Sequence, residues 1–214
     1  MNKITALRTG KGRSKRVNIY LDSKFAFSLE SEVALKEGLR VEQVLSTDRV
    51  KALAEADNNQ RCFNAATLFL SYRPRSEPEI RERLRRRGFT DATVDNTISR
   101  LKDKGLVDDT AFAQFWKDNR DYFSPRSRSL TRLELKRKGV AAEIIDHVVD
   151  SIDDEDNAYR AGIKKARSLS RSDYQQFRRR LGDHLKRRGF SYGVINHTVS
   201  RLWQEQDQII QQES

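Results

Sequence analysis

Four groups of side chains in this sequence have the types and spacing to do chemistry. Three are cationic. Leu84-Arg85-Arg86-Arg87-Gly88, Leu135-Lys136-Arg137-Lys138-Gly139 and Leu185-Lys186-Arg187-Arg188-Gly189 each set three basic residues between a leucine and a glycine. Guanidinium and ammonium groups so grouped pair with phosphates or carboxylates. The fourth group is acidic: Asp108 and Asp109 could hold a metal ion. They stand at the head of an expected helix, however, where side-chain oxygens cap free backbone amides and the dipole favours negative charge, and capping is the stronger reading. No histidine or third carboxylate lies at a spacing that would complete a metal site. His147, His184 and His197 fall in separate segments, and Cys62 is the only cysteine, which excludes an internal disulfide and a multi-cysteine zinc site. The GxxxxGK[ST] phosphate loop is missing, and no nucleophile has a base beside it. The chain is expected to have no catalytic activity, no cofactor and no metal.

The whole composition points the same way. The 214 residues include 42 Lys plus Arg against 31 Asp plus Glu, a formal net charge of +11. Such a balance suits a polyanionic partner: nucleic acid, an acidic protein surface or an anionic membrane. Leu, Ile, Val and Phe make up about a quarter of the chain, enough for folding with thin cores and much solvated helix surface. With no apolar run of about 18 residues, no membrane span is expected. The first ten residues lack a continuous apolar stretch, so a reduced, cytoplasmic protein is expected.

The cationic clusters belong to an internal repeat, their glycines 51 and 50 residues apart. Six, ten and thirteen residues after each glycine come Val94, Ile98 and Leu101, then Ile145, Val149 and Ile152, then Ile195, Val199 and Leu202. Pro74-Arg75-Ser76 corresponds to Pro125-Arg126-Ser127, while the third unit has Gln175 at the proline position. Each unit reads as three helices. In the first, Phe63, Ala66 and Leu70 form an apolar stripe, Ser76 with Glu79 is a capping box, and Ile80 with Leu84 is the core face of the second helix. Gly88 stands where that helix ends in a left-handed residue, and Thr90 caps the third. Ser191 takes the same capping place in the third unit; Ala141 cannot in the second.

Residues before this array differ. Short β-like runs at 4–7, 17–21 and 24–28, with Asp22-Ser23 as a tight turn, precede helical stretches at 31–36 and from Asp48 to about Asn58. Lys11, Arg13, Lys15 and Arg16, with Gly10 and Gly12 between them, either lie along phosphates or simply join two strands. Phe112, Phe115, Trp116, Phe177 and Phe190 fall at core spacing, which leaves Tyr122 and Phe123, beside Ser124-Pro125, as candidates for stacking on bases.

Segments 73–88, 126–138 and 178–188 carry seven, six and six cations against three, one and one acids, an excess that together surpasses the charge of the whole chain. A basic helix recurring once per repeat matches a partner that is itself long, periodic and acidic.

The order of Ile19-Tyr20-Leu21-Asp22, Phe25-Ala26-Phe27, Gly105-Leu106-Val107-Asp108-Asp109 and Phe112-Ala113, together with the threefold basic pattern, resembles the RecX family of bacterial regulatory proteins. The resemblance implies a curved array of three-helix repeats that lodges in the groove of the RecA recombinase filament on DNA, inhibits its recombinase and ATP-hydrolysing activities, and binds single- and double-stranded DNA. The expected fold is mainly all-α: a tandem array of three three-helix repeats (59–107, 108–153 and 154–209) behind a small N-terminal β-hairpin and helical cap (1–58). The cations expected to contact RecA or DNA are Arg83, Arg86 and Arg87, then Lys136, Arg137 and Lys138, then Lys186, Arg187 and Arg188. A monomer is expected, since repeat arrays need no dimer to complete their cores. The rival expectation is a general DNA- or RNA-binding protein with no filament partner.

Overall fold

The computed structural model describes residues 2–10, 15–169 and 173–213. The chain opens with three antiparallel strands, β1 (Ile4–Thr9), β2 (Arg16–Leu21) and β3 (Lys24–Glu30), ordered β1-β2-β3. Asp22 and Ser23 turn β2 into β3 with φ of 46° and 67°, the left-handed pair that a two-residue hairpin requires. Ile19 pairs with Leu7 on one side and Phe27 on the other, which puts it at the centre of the sheet. Helices α1 (Ser31–Lys36), α2 (Thr47–Leu70), α3 (Glu77–Arg85), α4 (Asp91–Asp103), α5 (Asp109–Phe123), α6 (Arg128–Arg137), α7 (Ala142–Val149), α8 (Asp154–Arg167), α9 (Tyr174–Lys186) and α10 (Tyr192–Glu213) follow. The fold is mainly α-helical behind a small sheet, as the sequence led us to expect.

Contacts divide the chain into two compact units, Met1–Arg73 with Ile80–Val107, and Pro74–Glu79 with Asp108–Ser214. In the first unit Ile4, Ile19 and Leu29 of the sheet pack with Val33, Leu45 and Leu53, and a second cluster joins Cys62, Ala66, Ile80, Leu84, Val94, Ile98 and Leu101. In the second unit Phe112, Leu135, Ile145, Val149 and Ile152 form one cluster, and Phe177, Leu181, Leu185, Val199 and Leu202 another. The residues spaced six, ten and thirteen after each repeat glycine all lie in these clusters, Ile195 at the margin of its own.

One element differs from expectation. The helical stretch expected to end near Asn58 continues to Leu70 as a single helix. Asp57 and Gln60, on either side of the expected boundary, form a buried polar seam. Asp57 accepts the Glu30 amide at 2.6 Å and an Arg16 N–H at 3.1 Å, while Gln60 bonds Glu32 at 2.6 Å and Arg100 at 2.9 Å. Every buried polar atom of that seam has a partner, so burial costs it little.

Candidate functional site

The three basic helices are built by the same local rules. Ser76 accepts the Glu79 amide and Glu79 accepts the Ser76 amide, both at 3.4 Å, a reciprocal box at the start of α3. Ser127 caps α6 by accepting the Leu130 amide at 3.1 Å, and Asp173 caps α9 through the amides of Gln175 and Gln176. Each helix buries one stripe: Ile80 and Leu84, then Thr131, Glu134 and Leu135, then Phe177, Leu181 and Leu185. All three end on a left-handed glycine, with φ of 85°, 75° and 84° at Gly88, Gly139 and Gly189. The following amides reach back to Leu84, Leu135 and Leu185.

Within the second unit the helix ends meet. Ser76 Oγ donates to the Lys138 carbonyl at 2.7 Å, and the Ser127 amide donates to the Arg188 carbonyl at 3.0 Å; both serines are fully buried. The last turn of α6 thus rests on the segment that opens α3, and the last turn of α9 on the start of α6. Free carbonyls at one helix end meet free amides and caps at another, a favourable alignment of dipoles. Gly139 lies so close to Pro78, and Gly189 to Ser127 and Leu130, that a Cβ at either would sit under 3.0 Å from the neighbour.

The nine cations singled out from sequence fall into different environments. Arg87, Lys136, Arg137, Lys186 and Arg187 are exposed and have no acidic partner among the described residues. Arg86 is exposed but pairs with Glu82 at 2.6 Å, and Arg83 lies over the Phe69 ring at 5.6 Å. Lys138 and Arg188 are half-buried. Lys138 pairs with Glu79 at 2.7 Å and sits over Trp116 at 5.1 Å, so it joins two helix ends. Arg188 is held 3.4 Å from His184 Nδ1, and its Nε is buried without a hydrogen-bond partner. Burial, then the neighbouring Arg187, pushes its pKa down. Both lie three residues beyond a buried leucine, at the edge of the apolar stripe. The flanking Arg81 and Arg85 pair with Asp95 and Asp91.

Sequence reasoning missed Glu134, the single acid in the second basic helix. It is buried and accepts from Trp116 Nε1 at 2.8 Å, Arg120 Nε at 2.8 Å and Arg126, gathering two arginines of the unit's own surface. Its one signal was a lone carboxylate next to a core leucine among six cations.

The remaining sequence candidates resolve as follows. Lys11 and Arg13 lie outside the described residues. Arg16 braces the sheet through Glu30 at 2.9 Å and Asp57 at 3.1 Å. Asp108 caps α5 by accepting the Thr110 and Ala111 amides at 2.7 and 3.1 Å, and Asp109 accepts the Glu77 amide at 2.9 Å. No group of three or more His, Cys, Asp or Glu among the described residues could hold a metal ion, and no described helix is long and apolar enough to cross a membrane. The Cys62 thiol is buried and its pKa is pushed up by that burial. Phe112, Phe177 and Phe190 are core residues, whereas Tyr122 and Phe123 are 80% and 73% exposed.

Comparison with known proteins places this arrangement. Residues 2–46 match the family model described as the regulatory protein RecX N-terminal domain, residues 62–101 the first RecX three-helix domain, and residues 153–199 the third. A regulatory protein RecX of Bacillus cytotoxicus is 30% identical over 221 aligned positions, spanning 100% of this chain and 82% of that protein. The chain belongs to the RecX family. A RecX of Clostridium perfringens (strain SM101 / Type A) is 29% identical over 207 positions, covering 94% of this chain and 97% of its own. The fold is shared with a crystal structure of regulatory protein RecX (TM-score 0.70, 24% identity, 92% of this chain and 98% of that one). It is also shared with RecX from Lactobacillus salivarius (TM-score 0.59, 24% identity, 69% and 97%). The RecX N-terminal match takes in the sheet and α1, and the RecX third-domain match takes in α8, α9 and the start of α10. A regulatory protein is what these relatives are named, in keeping with a chain read as non-catalytic.

Proposed function

We propose that this protein is a cytoplasmic, monomeric regulator that binds RecA filaments and DNA, single- and double-stranded, and inhibits RecA recombination and ATP hydrolysis without catalysis of its own. Its working parts are a cap of residues 1–58 and three modules, 59–107, 108–153 and 154–209. The observation that carries the reading, beside family membership, is the set of exposed cations at the ends of α3, α6 and α9 that have no acidic partner among the described residues: Arg87, Lys136, Arg137, Lys186 and Arg187. Modest contacts from several modules on one chain sum to tight binding to a repeating partner. A protein bound between adjacent filament subunits shifts assembly or turnover only by its differential affinity for the two states. Regulation by wedging or capping therefore needs contacts that one filament geometry satisfies better than another.

The test adds purified protein to preformed RecA filaments on single-stranded DNA and follows ATP turnover. Inhibition is expected. Reversing four exposed charges, Lys136→Glu and Arg137→Glu with Lys186→Glu and Arg187→Glu, should raise the half-inhibitory concentration at least about tenfold, at roughly 0.3–1 kcal/mol per surface pair. Arg86→Ala, whose partner is internal, should change it less. Tight oligonucleotide binding with RecA turnover unaffected at equal concentration would instead establish a plain nucleic-acid-binding protein.

A further inference from the structure

A cleft of about 380 Å³ opens in the second unit between the end of α5, one face of α8 and the last turns of α9. Phe123, Arg160, Lys164, Lys165, His184 and Arg188 line it, and none of its lining residues is an aspartate or glutamate. Arg160 is satisfied internally, by Asp156 at 2.7 Å, by Asn157 and by the Asp121 carbonyl. Lys164, Lys165 and Arg188 have no acidic partner among the described residues. His184 donates from Nε2 to the Ala161 carbonyl at 3.1 Å, which leaves Nδ1 as the acceptor facing Arg188. Burial first, then the Arg188 charge, pushes the pKa of this imidazole down. Arg126, engaged by Glu134, has its pKa lowered by burial first, then by Arg120 and Arg188. Like charges are gathered at the cleft by its own lining residues, Arg160, Lys164, Lys165 and Arg188. Cations gathered without a carboxylate in the lining are an electrostatic demand that a tetrahedral oxyanion answers with several oxygens at once.

The rim supplies a second chemistry. Phe123 stands 73% exposed at the end of α5 and meets Tyr122 edge to face, the ring centroids 4.7 Å apart. An exposed aromatic pair beside a cationic cleft is the arrangement that stacks an unpaired base while its backbone tracks the charge. A carboxylate-bearing peptide would use the cations but leave the rings idle, and bases already stacked within a duplex are not available to them.

We propose that this cleft binds single-stranded nucleic acid, seating a backbone phosphate on Lys164, Lys165 and Arg188 and stacking an adjacent base on Phe123. The proposal deepens the DNA-binding half of the function above and is independent of the filament half. The experiment is anisotropy of a short fluorescein-labelled oligothymidylate titrated with the full chain over a range of salt. Lys164→Gln with Lys165→Gln should lower the slope of log affinity against log salt by about 0.7, the value for one phosphate contact on a single strand. Phe123→Ala should weaken binding about fivefold to a hundredfold with the slope unchanged, Phe123→Trp should restore it, and a duplex of matched length should be insensitive to either. All of these residues sit at the solvent edge, and unchanged helical circular dichroism checks that the variants fold. Parental binding by either the lysine pair or the Phe123→Ala variant overturns the site while leaving DNA binding elsewhere intact. Failure of the parent itself to bind overturns both. Displacement of the oligonucleotide by oligoglutamate at equal charge concentration would make the cleft a site for acidic protein segments and also overturn the proposal.

Discussion

Replacing Gly139 by alanine tests whether the end of one basic helix docks on the segment that opens the helix before it. The structure separates two costs that usually come together. At Gly139 φ is 75°, and an added Cβ would lie 2.6 and 2.9 Å from two ring carbons of Pro78. At Gly88 φ is 85°, but a Cβ there meets nothing within 4 Å. Gly88→Ala therefore incurs only the left-handed backbone penalty of about 1–2 kcal/mol. Gly139→Ala adds an overlap with a ring held in a helix turn, about 1–3 kcal/mol more. At roughly 2–4 °C per kcal/mol for a chain of this size, the two melting midpoints should differ by about 2–12 °C. Hydrogen exchange localises the effect: Gly139→Ala should deprotect residues 76–79 together with 138–140, where Ser76 bonds the Lys138 carbonyl, while Gly88→Ala should leave both segments as they are. Equal destabilisation by the two variants, or unchanged protection at 76–79 in Gly139→Ala, would refute the docking contact and with it the head-to-tail meeting of the helices.

Glu134→Ala strands Arg120 and Arg126 without their shared carboxylate and should cost about 3–5 kcal/mol in urea unfolding, since breaking a buried pair exceeds its net worth; a loss under about 1 kcal/mol would mean the arginines find other partners. Asp108→Ala should cost about 1 kcal/mol as a lost cap. Asp108→Asn with Asp109→Asn keeps the cap and should leave RecA inhibition unaltered, whereas loss of inhibition would reinstate a metal-binding reading. His184 titrates below its unfolded value of about 6.5, because burial and Arg188 disfavour the imidazolium. Its contribution to stability is present above that pH and is lost as pH falls through the folded pKa. Stability of the parent should therefore drop on acidification below about pH 6.5, and His184→Gln should flatten that part of the profile; identical profiles would place the acid sensitivity elsewhere.

What the sequence made legible is what local physics decides. Glycine at 88, 139 and 189 follows from the left-handed turn that only a residue without Cβ takes freely, and Ser76, Thr90 and Asp108 follow from amides that a helix start leaves open. Apolar spacing after each glycine predicts the clusters because a helix has one period and each core needs one stripe. What was not legible depends on a partner distant in the chain. A helix end is expected near Asn58 because nothing local shows that Arg16, Glu30 and Arg100 come to satisfy Asp57 and Gln60, so α2 runs on where a break was expected. The same holds for the cations. Arg187 and Arg188 are adjacent and chemically identical, yet one is free in solvent and the other is half-buried against His184. A basic run therefore specifies charge density along a helix but not its direction. The exposed members face solvent, and the inward one lines a cleft whose collected charge was hidden until α5, α8 and α9 were brought together.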